Sequence, residues 1–337
     1  MLDRAFDAAH LSDLQSHALR QQQVQEESDQ LYIRLFDDVQ RRILESQNQE
    51  TIDQALDELV LALRARMMNS PELDWKAFVA MSRRHPITQL LHQDPFTFRA
   101  FSKPRGYAGD AEMMDFIYGC EDRLAPPPAE RFGRYVFDYT TRAPAPEGVR
   151  ARRAFMAARI DRLAEEKNRP HILAIAAGHL REASVSIAVR RRRTGRFVAL
   201  DADPQAAVEV KRCYASYGVE TVTASFSRLL VRQRGPGEFD LVYSTGLLDY
   251  LNQRTSRRLV SSMFQMLRSG GSLIVANFLP GIRDVGYMET FMDWNLIYRT
   301  RCEMIDLTAD IPESDVKQIS LVSEECKNII FLQLTKS

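Results

Sequence analysis

Asp201 closes the short apolar run Phe197-Val-Ala-Leu200 and lies 23 positions after Gly178, in the small-residue stretch Ala176-Ala-Gly-His-Leu180. Small residues after a strand let backbone approach a ligand, and a helix that follows offers free N–H groups. One glycine stands where a dinucleotide fingerprint shows three, so the loop alone reads equally well as a tight strand-to-helix turn. The acid at the end of the second run adds what the loop lacks. With Ala202 beside it, Asp201 is placed to accept both hydroxyls of a ribose. Asp203 precedes Pro204 and reads instead as a helix N-cap. Ser225 and Phe226 follow a third run, Val219–Thr223. Phe226 either covers an adenine with its aromatic face or fills the core. No G-x-x-x-x-G-K-[ST] loop occurs, which argues against a nucleoside triphosphate.

A second set of candidates lies outside this stretch. Lys103-Pro-Arg-Gly-Tyr-Ala-Gly-Asp110 holds two glycines, an arginine, a tyrosine and an aspartate. A capping turn needs a glycine but none of the other groups, so the segment is expected to close over a cleft. Arg105 is suited to pair with a carboxylate, of a cofactor or of a substrate, with Tyr107 close by. Asp110 either holds an ammonium or caps a helix starting near Ala111. Tyr243, Asp249, Tyr250 and Asn277 are expected to crowd the ends of the fourth and fifth apolar runs. Tyr250 otherwise fills the core, and Asn277 otherwise satisfies loop backbone. Asp293 and Arg299 fall on one expected helix, where Arg299 either anchors an acid or is solvated. Cys120, Cys213, Cys302 and Cys326 form no C-x-x-C pair, and all six histidines lie before residue 180. Reduced thiols are expected, with no metal site and no disulfide framework.

The elements that must position these groups change character near residue 145. Before it, Tyr32, Phe36, Val39 and Ile43, and then Ile52, Leu56, Leu59, Val60 and Leu63, recur at helical spacing. Pro126 to Pro128, Pro144, Pro146 and Gly148 predict linker-like backbone around one short helix, Ala129 to Tyr139. From Arg169 onward, short apolar runs alternate with helical sequence: His171–Ala176, Phe197–Leu200, Val219–Thr223, Phe239–Tyr243 and Ser272–Ala276. Helices are expected up to Arg193, from Pro204 to Tyr217, and in an amphipathic stretch ending at Ser269-Gly270-Gly271. This alternation predicts a parallel sheet with helices on both faces. Gln318–Val322 and Ile329–Leu334 then read as an antiparallel hairpin. Two domains are expected, 1–148 as a helical lid and substrate domain and 149–337 as the cofactor-binding domain.

The chain has 337 residues, 45 Lys and Arg against 45 Asp and Glu, and 45% apolar residues. Such composition is globular, and the zero net charge argues against a nucleic-acid partner. No apolar run approaches a membrane span, and the polar start MLDRAFDAAH does not read as a signal peptide, so a soluble cytoplasmic protein without membrane insertion is expected. Arg190 to Arg193 with Arg196 form either a solvated helix end or a docking patch for an acidic partner such as an acyl carrier protein.

Together ILAIAAGH, VALDAD, FDLVYSTGLLDYL, LRSGGSLIVANF and the hairpin resemble the class I S-adenosylmethionine-dependent methyltransferases. The resemblance implies a Rossmann-like α/β sheet with S-adenosylmethionine as cofactor. It implies that Ala176, Gly178 and His179 wrap the methionine end, that Asp201 holds the ribose, and that Tyr243 and Ser244 flank the cleft. The usual acid at the end of the first strand stands here as Ala174, and two usual glycines stand as Ala176 and Leu180. FSKPRGYAGD, YSTGLLDY, Asn277-Phe278 and DWNLIYR look like the bacterial methyltransferases that make an extracellular 3-hydroxy fatty acid methyl ester, a quorum-sensing signal. This implies a small acid as substrate, free or carrier-bound, with Tyr250 and Arg299 toward it. A carboxylate is already ionised at neutral pH and needs no base, whereas an alcohol would require Tyr243, Asp249 or Asp110. The alternative is an O- or N-methyltransferase, or another S-adenosylmethionine-using enzyme, of another secondary-metabolite pathway.

Overall fold

The computed structural model describes residues 27–46, 48–119, 131–227 and 238–337. Cys120, Ala129, the prolines at 126–128 and the N-terminal stretch fall outside the described residues. Helical spacing in the first part of the chain becomes, among the described residues, eight helices. In α1 (27–45), Phe36, Val39 and Ile43 form one fully buried stripe. In α2 (Gln49–Met68), Ile52, Leu56, Leu59, Val60 and Leu63 do the same, and the Asn48 side chain caps the helix by accepting from Glu50 N. There follow α3 (Glu72–Ser82), α4 (Ile87–Leu91), α5 (Pro95–Ser102), α6 (Ala111–Tyr118), α7 (Arg131–Thr140) and α8 (Pro144–Glu166).

The linker expected around Pro144, Pro146 and Gly148 is instead the first turn of α8, a helix of 23 residues. Proline in a first turn loses no helical hydrogen bond, because those N–H groups have no partner inside the helix. Gly148 is small where α8 meets the hairpin: a Cβ there would lie 3.1 Å from Asn328 Cβ. Helix α8 runs through the expected boundary at 148/149, and one apolar cluster joins α1–α8 to one face of the sheet, from Phe36 to Phe331.

Seven strands make one Rossmann-like sheet: β1 (Ile172–Ile175), β2 (Phe197–Asp201), β3 (Val219–Thr223), β4 (Phe239–Ser244), β5 (Leu267–Phe278), β6 (Val316–Ser323) and β7 (Ile329–Lys336). The order is β3-β2-β1-β4-β5-β7-β6. The first five strands pair in parallel and β7 is antiparallel to both β5 and β6, as the hairpin requires. The switch of direction between β1 and β4 opens the crevice where ligands bind in such sheets.

Three expected elements differ. The helix expected up to Arg193 is two four-residue turns, Glu182–Val185 and Ile187–Arg190, broken where Ser186 caps the second. Ser269–Gly271 lies inside β5 rather than at a helix end; the register with β4 shifts there, and a Cβ on Gly271 would lie 3.0 Å from Phe239 O. The helix expected to carry Asp293 and Arg299 is irregular backbone over 293–300, and Asp293 has φ +46. Among the described residues, no helix is long and apolar enough to cross a membrane.

Candidate active site at the carboxyl ends of the strands

A cavity of about 370 Å³ opens where the β1, β2 and β4 loops meet the segment between α5 and α6. Its floor is the turn after β1. Ala176, Gly178 and Leu180 have φ of +52, +53 and +51, the left-handed region that glycine adopts freely and other residues adopt at a cost. Two of these three positions carry a Cβ, so the glycine-type path of the loop is kept without the glycines. The path is held by Asp201: Gly178 N donates to Asp201 Oδ2 at 2.7 Å, and Asp203 N donates to Oδ1 at 2.8 Å. Ala176, Gly178, His179, Asp201, Ala202 and Phe226 all line the cavity. Asp203 caps its helix, accepting from Gln205 N.

The segment between α5 and α6 forms the roof. Lys103 ends α5 in a left-handed conformation with φ +48, and Gly106 follows with φ +89. Tyr107 and Gly109 then reach the cavity, where Tyr107 meets the Tyr250 ring edge-on at 6.4 Å. Gly109 permits a close approach: a Cβ there would lie 2.3 Å from Tyr250 Oη and 3.1 Å from the Trp294 ring. Trp294 Nε1 donates to Tyr250 Oη at 2.8 Å.

At the β4 end, Tyr243, Asp249 and Tyr250 line the wall. Tyr243 Oη donates to Glu182 Oε1 at 2.6 Å. Burial and the Glu182 carboxylate push the Tyr243 hydroxyl well above its ordinary range, which makes it a donor rather than a base. Burial also raises Glu182. Asp249 is 2% exposed; Phe278 N donates to its Oδ1 at 2.9 Å, and burial pushes it up to about 6.

Six expected site residues are placed otherwise. Arg105 is outside the wall: Nη1 is 2.7 Å from Asp203 Oδ2 and Nη2 is 3.2 Å from Glu112, so it latches the roof to the β2 loop. Asp110 is fully buried, held by both Arg99 Nε and Nη2 and accepting from Met113 N, so its capping role leaves no oxygen facing a ligand. Ser225 is exposed and bonds Ser227. Ser244 is fully buried with its Oγ unpartnered and does not reach the cavity. Asn277 and Arg299 hold one another at 2.5 Å, Arg299 Nη1 to Asn277 Oδ1. Arg299 is neither solvated nor turned to the cavity: it is 1% exposed and donates also to Gln253, Ser256 and the carbonyls of Leu248 and Leu251.

Sequence reasoning missed Arg152, Tyr118, Glu182 and Trp294, all in the wall. Glu182 had a usable signal, two positions after the loop in the first helical turn. Arg152 had none, since it lies just beyond the stretch read as a linker, in sequence with no motif of its own.

The order of strands, the cavity at their carboxyl ends and the acid on β2 can be set beside known proteins. Residues 177–275 match a family model described as a methyltransferase domain. No curated protein matches the chain in sequence. A possible exported protein from Bordetella parapertussis shares 14% identity, covers 83% of this chain and 96% of its own, and superposes with a TM-score of 0.57, a likeness of fold. Magnesium protoporphyrin IX methyltransferase from Synechocystis, solved with bound S-adenosylhomocysteine, shares 10% identity over 72% of this chain and 100% of its own, with a TM-score of 0.46. A putative O-methyltransferase from Nostoc punctiforme shares 15% over 73% and 72%, with a TM-score of 0.44.

The cavity fits the cofactor of such a domain. Asp201 is in the wall at the β2 end, and Gly178 leaves a cradle whose Cβ would lie 3.4 Å from Ala111 Cβ. Phe226 offers an aromatic face beside it.

Proposed function

From a chain that carries an S-adenosylmethionine-dependent methyltransferase domain, we propose that this protein esterifies the carboxyl group of a small 3-hydroxy fatty acid, giving a methyl ester signal in the cytoplasm. The observation that carries this reading is the second half of the cavity. Beyond Asp201 and the β1 loop, its wall turns apolar through Val149, Leu251, Phe278, Trp294 and Leu296. Such a wall suits an acyl chain and leaves a highly charged acceptor poorly solvated. Bound S-adenosylmethionine supplies the methyl group as an electrophile on sulfur.

The protein's own task is alignment and exclusion of water. Asp201, held by two backbone N–H groups, is fixed to receive ribose hydroxyls, and Tyr107, Gly109 and Tyr250 cover the cleft. A carboxylate acceptor needs no base. The exposed run Arg190–Arg192 precedes β2, at the amino end of the sheet, whereas the cavity lies at the carboxyl end. A carrier docked on those arginines would stand at the wrong edge, so the acceptor is taken as free acid.

One observation favours a second reading. A buried carboxyl raised to about 6 at Asp249 is suited to act as base toward an alcohol or amine. Incubation with S-adenosylmethionine and a panel of 3-hydroxy acids, alcohols and amines, followed by mass spectrometry, tests both. Methyl esters are expected; methyl ethers or amines alone would shift the function to the second reading, and no methylated product would overturn both.

A further inference from the structure

Most buried arginines near the cavity are fully engaged. Arg299 has five acceptors, Arg105 has Asp203 and Glu112, and Arg181 is held by Asp115 and Glu209. Arg152 is different. It projects from α8 into the wall and is 7% exposed. Its Nη1 donates to Thr245 O, its Nη2 reaches Met114 Sδ at 3.9 Å, and the guanidinium also hydrogen-bonds the Tyr118 hydroxyl. Among the described residues, no carboxylate oxygen forms an ion pair with it. A guanidinium has five N–H donors, and this buried one meets two neutral oxygens and a thioether, so it keeps donors in reserve and its charge has no carboxylate counterpart. Glu182 lines the same cavity and has one side-chain partner, the Tyr243 hydroxyl. Opposite charges therefore face one space without meeting.

We propose that Arg152 and Glu182 form a clamp for a zwitterion, the α-amino-acid tail of S-adenosylmethionine, with Arg152 taking the carboxylate and Glu182 the ammonium. The proposal rests on the cofactor reading above and assigns residues that reading leaves open. Register sets the scale. Ala174 of β1 pairs with Ala199 of β2 on one side and Tyr243 of β4 on the other. The β2 and β4 ends are thus two strand spacings apart, about 9–10 Å. With its ribose at Asp201, a nucleoside joined through a short thioether chain to an amino acid brings that amino acid to the β4 side, beside Thr245 and Glu182. A planar guanidinium suits a carboxylate through paired N–H donors, with a net gain that survives burial when both charges are matched.

The test is isothermal titration of S-adenosylhomocysteine and of methylthioadenosine, which keeps the nucleoside and thioether but lacks the amino acid. Arg152→Met is expected to weaken S-adenosylhomocysteine by about 10- to 100-fold and to leave methylthioadenosine within about 2-fold. Arg152→Lys, which keeps the charge and most of the volume, should fall between, and Glu182→Gln should weaken the homocysteine ligand by about 10-fold. Equal weakening of both ligands in all three variants, or an unchanged S-adenosylhomocysteine affinity with a raised acceptor KM, would overturn the clamp. If the unmodified protein binds neither ligand, the cofactor reading itself fails, a result separate from any effect of the variants.

Discussion

The two margins of the cavity are built on opposite terms. On the β5 margin, the long polar side chains are spent within the protein: Arg299 has five acceptors, and Asn277 Nδ2 donates to Phe278 O and Ile297 O, while Asp249 beside them accepts from Phe278 N through one oxygen. On the β1 margin, three consecutive alternate residues hold left-handed backbone, and Arg152 and Glu182 keep hydrogen-bonding capacity in reserve. A saturated buried network fixes geometry and has nothing left for a ligand, whereas unmatched charge and strained backbone persist where binding repays them. Position near a strand end does not decide which kind a residue is; the count of its partners does.

The largest expected effect lies on the saturated margin. Arg299→Met removes the donors of five acceptors, three of them buried, and should cost about 3–5 kcal/mol in urea unfolding. S-adenosylhomocysteine affinity of the folded fraction should hardly change. A variant as stable as the unmodified chain, but with a raised acceptor KM, would return Arg299 to the substrate and erase the contrast between the margins.

Asp249 probes the same margin through pH. Its folded-state value of about 6 lies above the ordinary 3.8, so the native state binds the proton more tightly than the unfolded chain does. Stability from this group is therefore present at low pH and falls as pH rises from about 4 to about 6. Asp94 and Asp284, also buried and raised to about 6, act in the same direction. Asp249→Asn carries no such proton, so its stability relative to the unmodified chain should improve by roughly 2–3 kcal/mol between pH 4 and pH 7. Urea midpoints across that range measure it; a constant difference would mean that Asp249 is ionised throughout.

These contrasts explain what the sequence disclosed. The strands were legible because a sheet covered on both faces writes itself as unbroken apolar runs, and Asp201 because an acid at a strand end is local. Pro144, Pro146 and Gly148 misled because proline reads as a breaker, although it suits a first helical turn. Arg299 was misread because its partners are backbone carbonyls and side chains 22 to 51 positions away, which no local pattern records, whereas the alternative reading of Asn277, that it satisfies loop backbone, matches its bonds to Phe278 O and Ile297 O. Asp110 was half legible: its capping role is local, whereas the Arg99 fork that fills its oxygens comes from the preceding helix. Arg152 and Glu182 share that blindness, since a missing partner is visible only in three dimensions.

Between the margins lies the roof, where Gly109 tests closure. Gly109→Ala places a methyl group against Tyr250 Oη and the Trp294 ring. Overpacking of this kind costs about 1–3 kcal/mol, here felt by the closed roof rather than the core. Methyl transfer should drop by about 10-fold, mainly through acceptor KM, with little change in the urea midpoint. Unchanged kinetics would mean that the segment 103–110 is a fixed wall with no part in closure.

The smallest effect is on the strained margin and can be read in a pair of variants. At Ala176, φ is +52, and a change to glycine relieves about 1 kcal/mol of left-handed strain while adding about the same in unfolded-chain entropy. Ala176→Gly should therefore leave stability within about 0.5 kcal/mol. Gly178 sits at φ +53 in the same turn, and its Cβ would meet Ala111 Cβ at 3.4 Å, an ordinary contact, so Gly178→Ala exchanges the same two quantities in reverse and should also leave stability within about 0.5 kcal/mol. If the two changes instead proved opposite and each about 1 kcal/mol in size, entropy of the unfolded chain would have no share in the balance. If Ala176→Gly stabilised by more than about 1 kcal/mol, the loop would hold more strain than its dihedrals record, and the β1 margin would differ from the β5 margin even more sharply than its hydrogen bonds indicate.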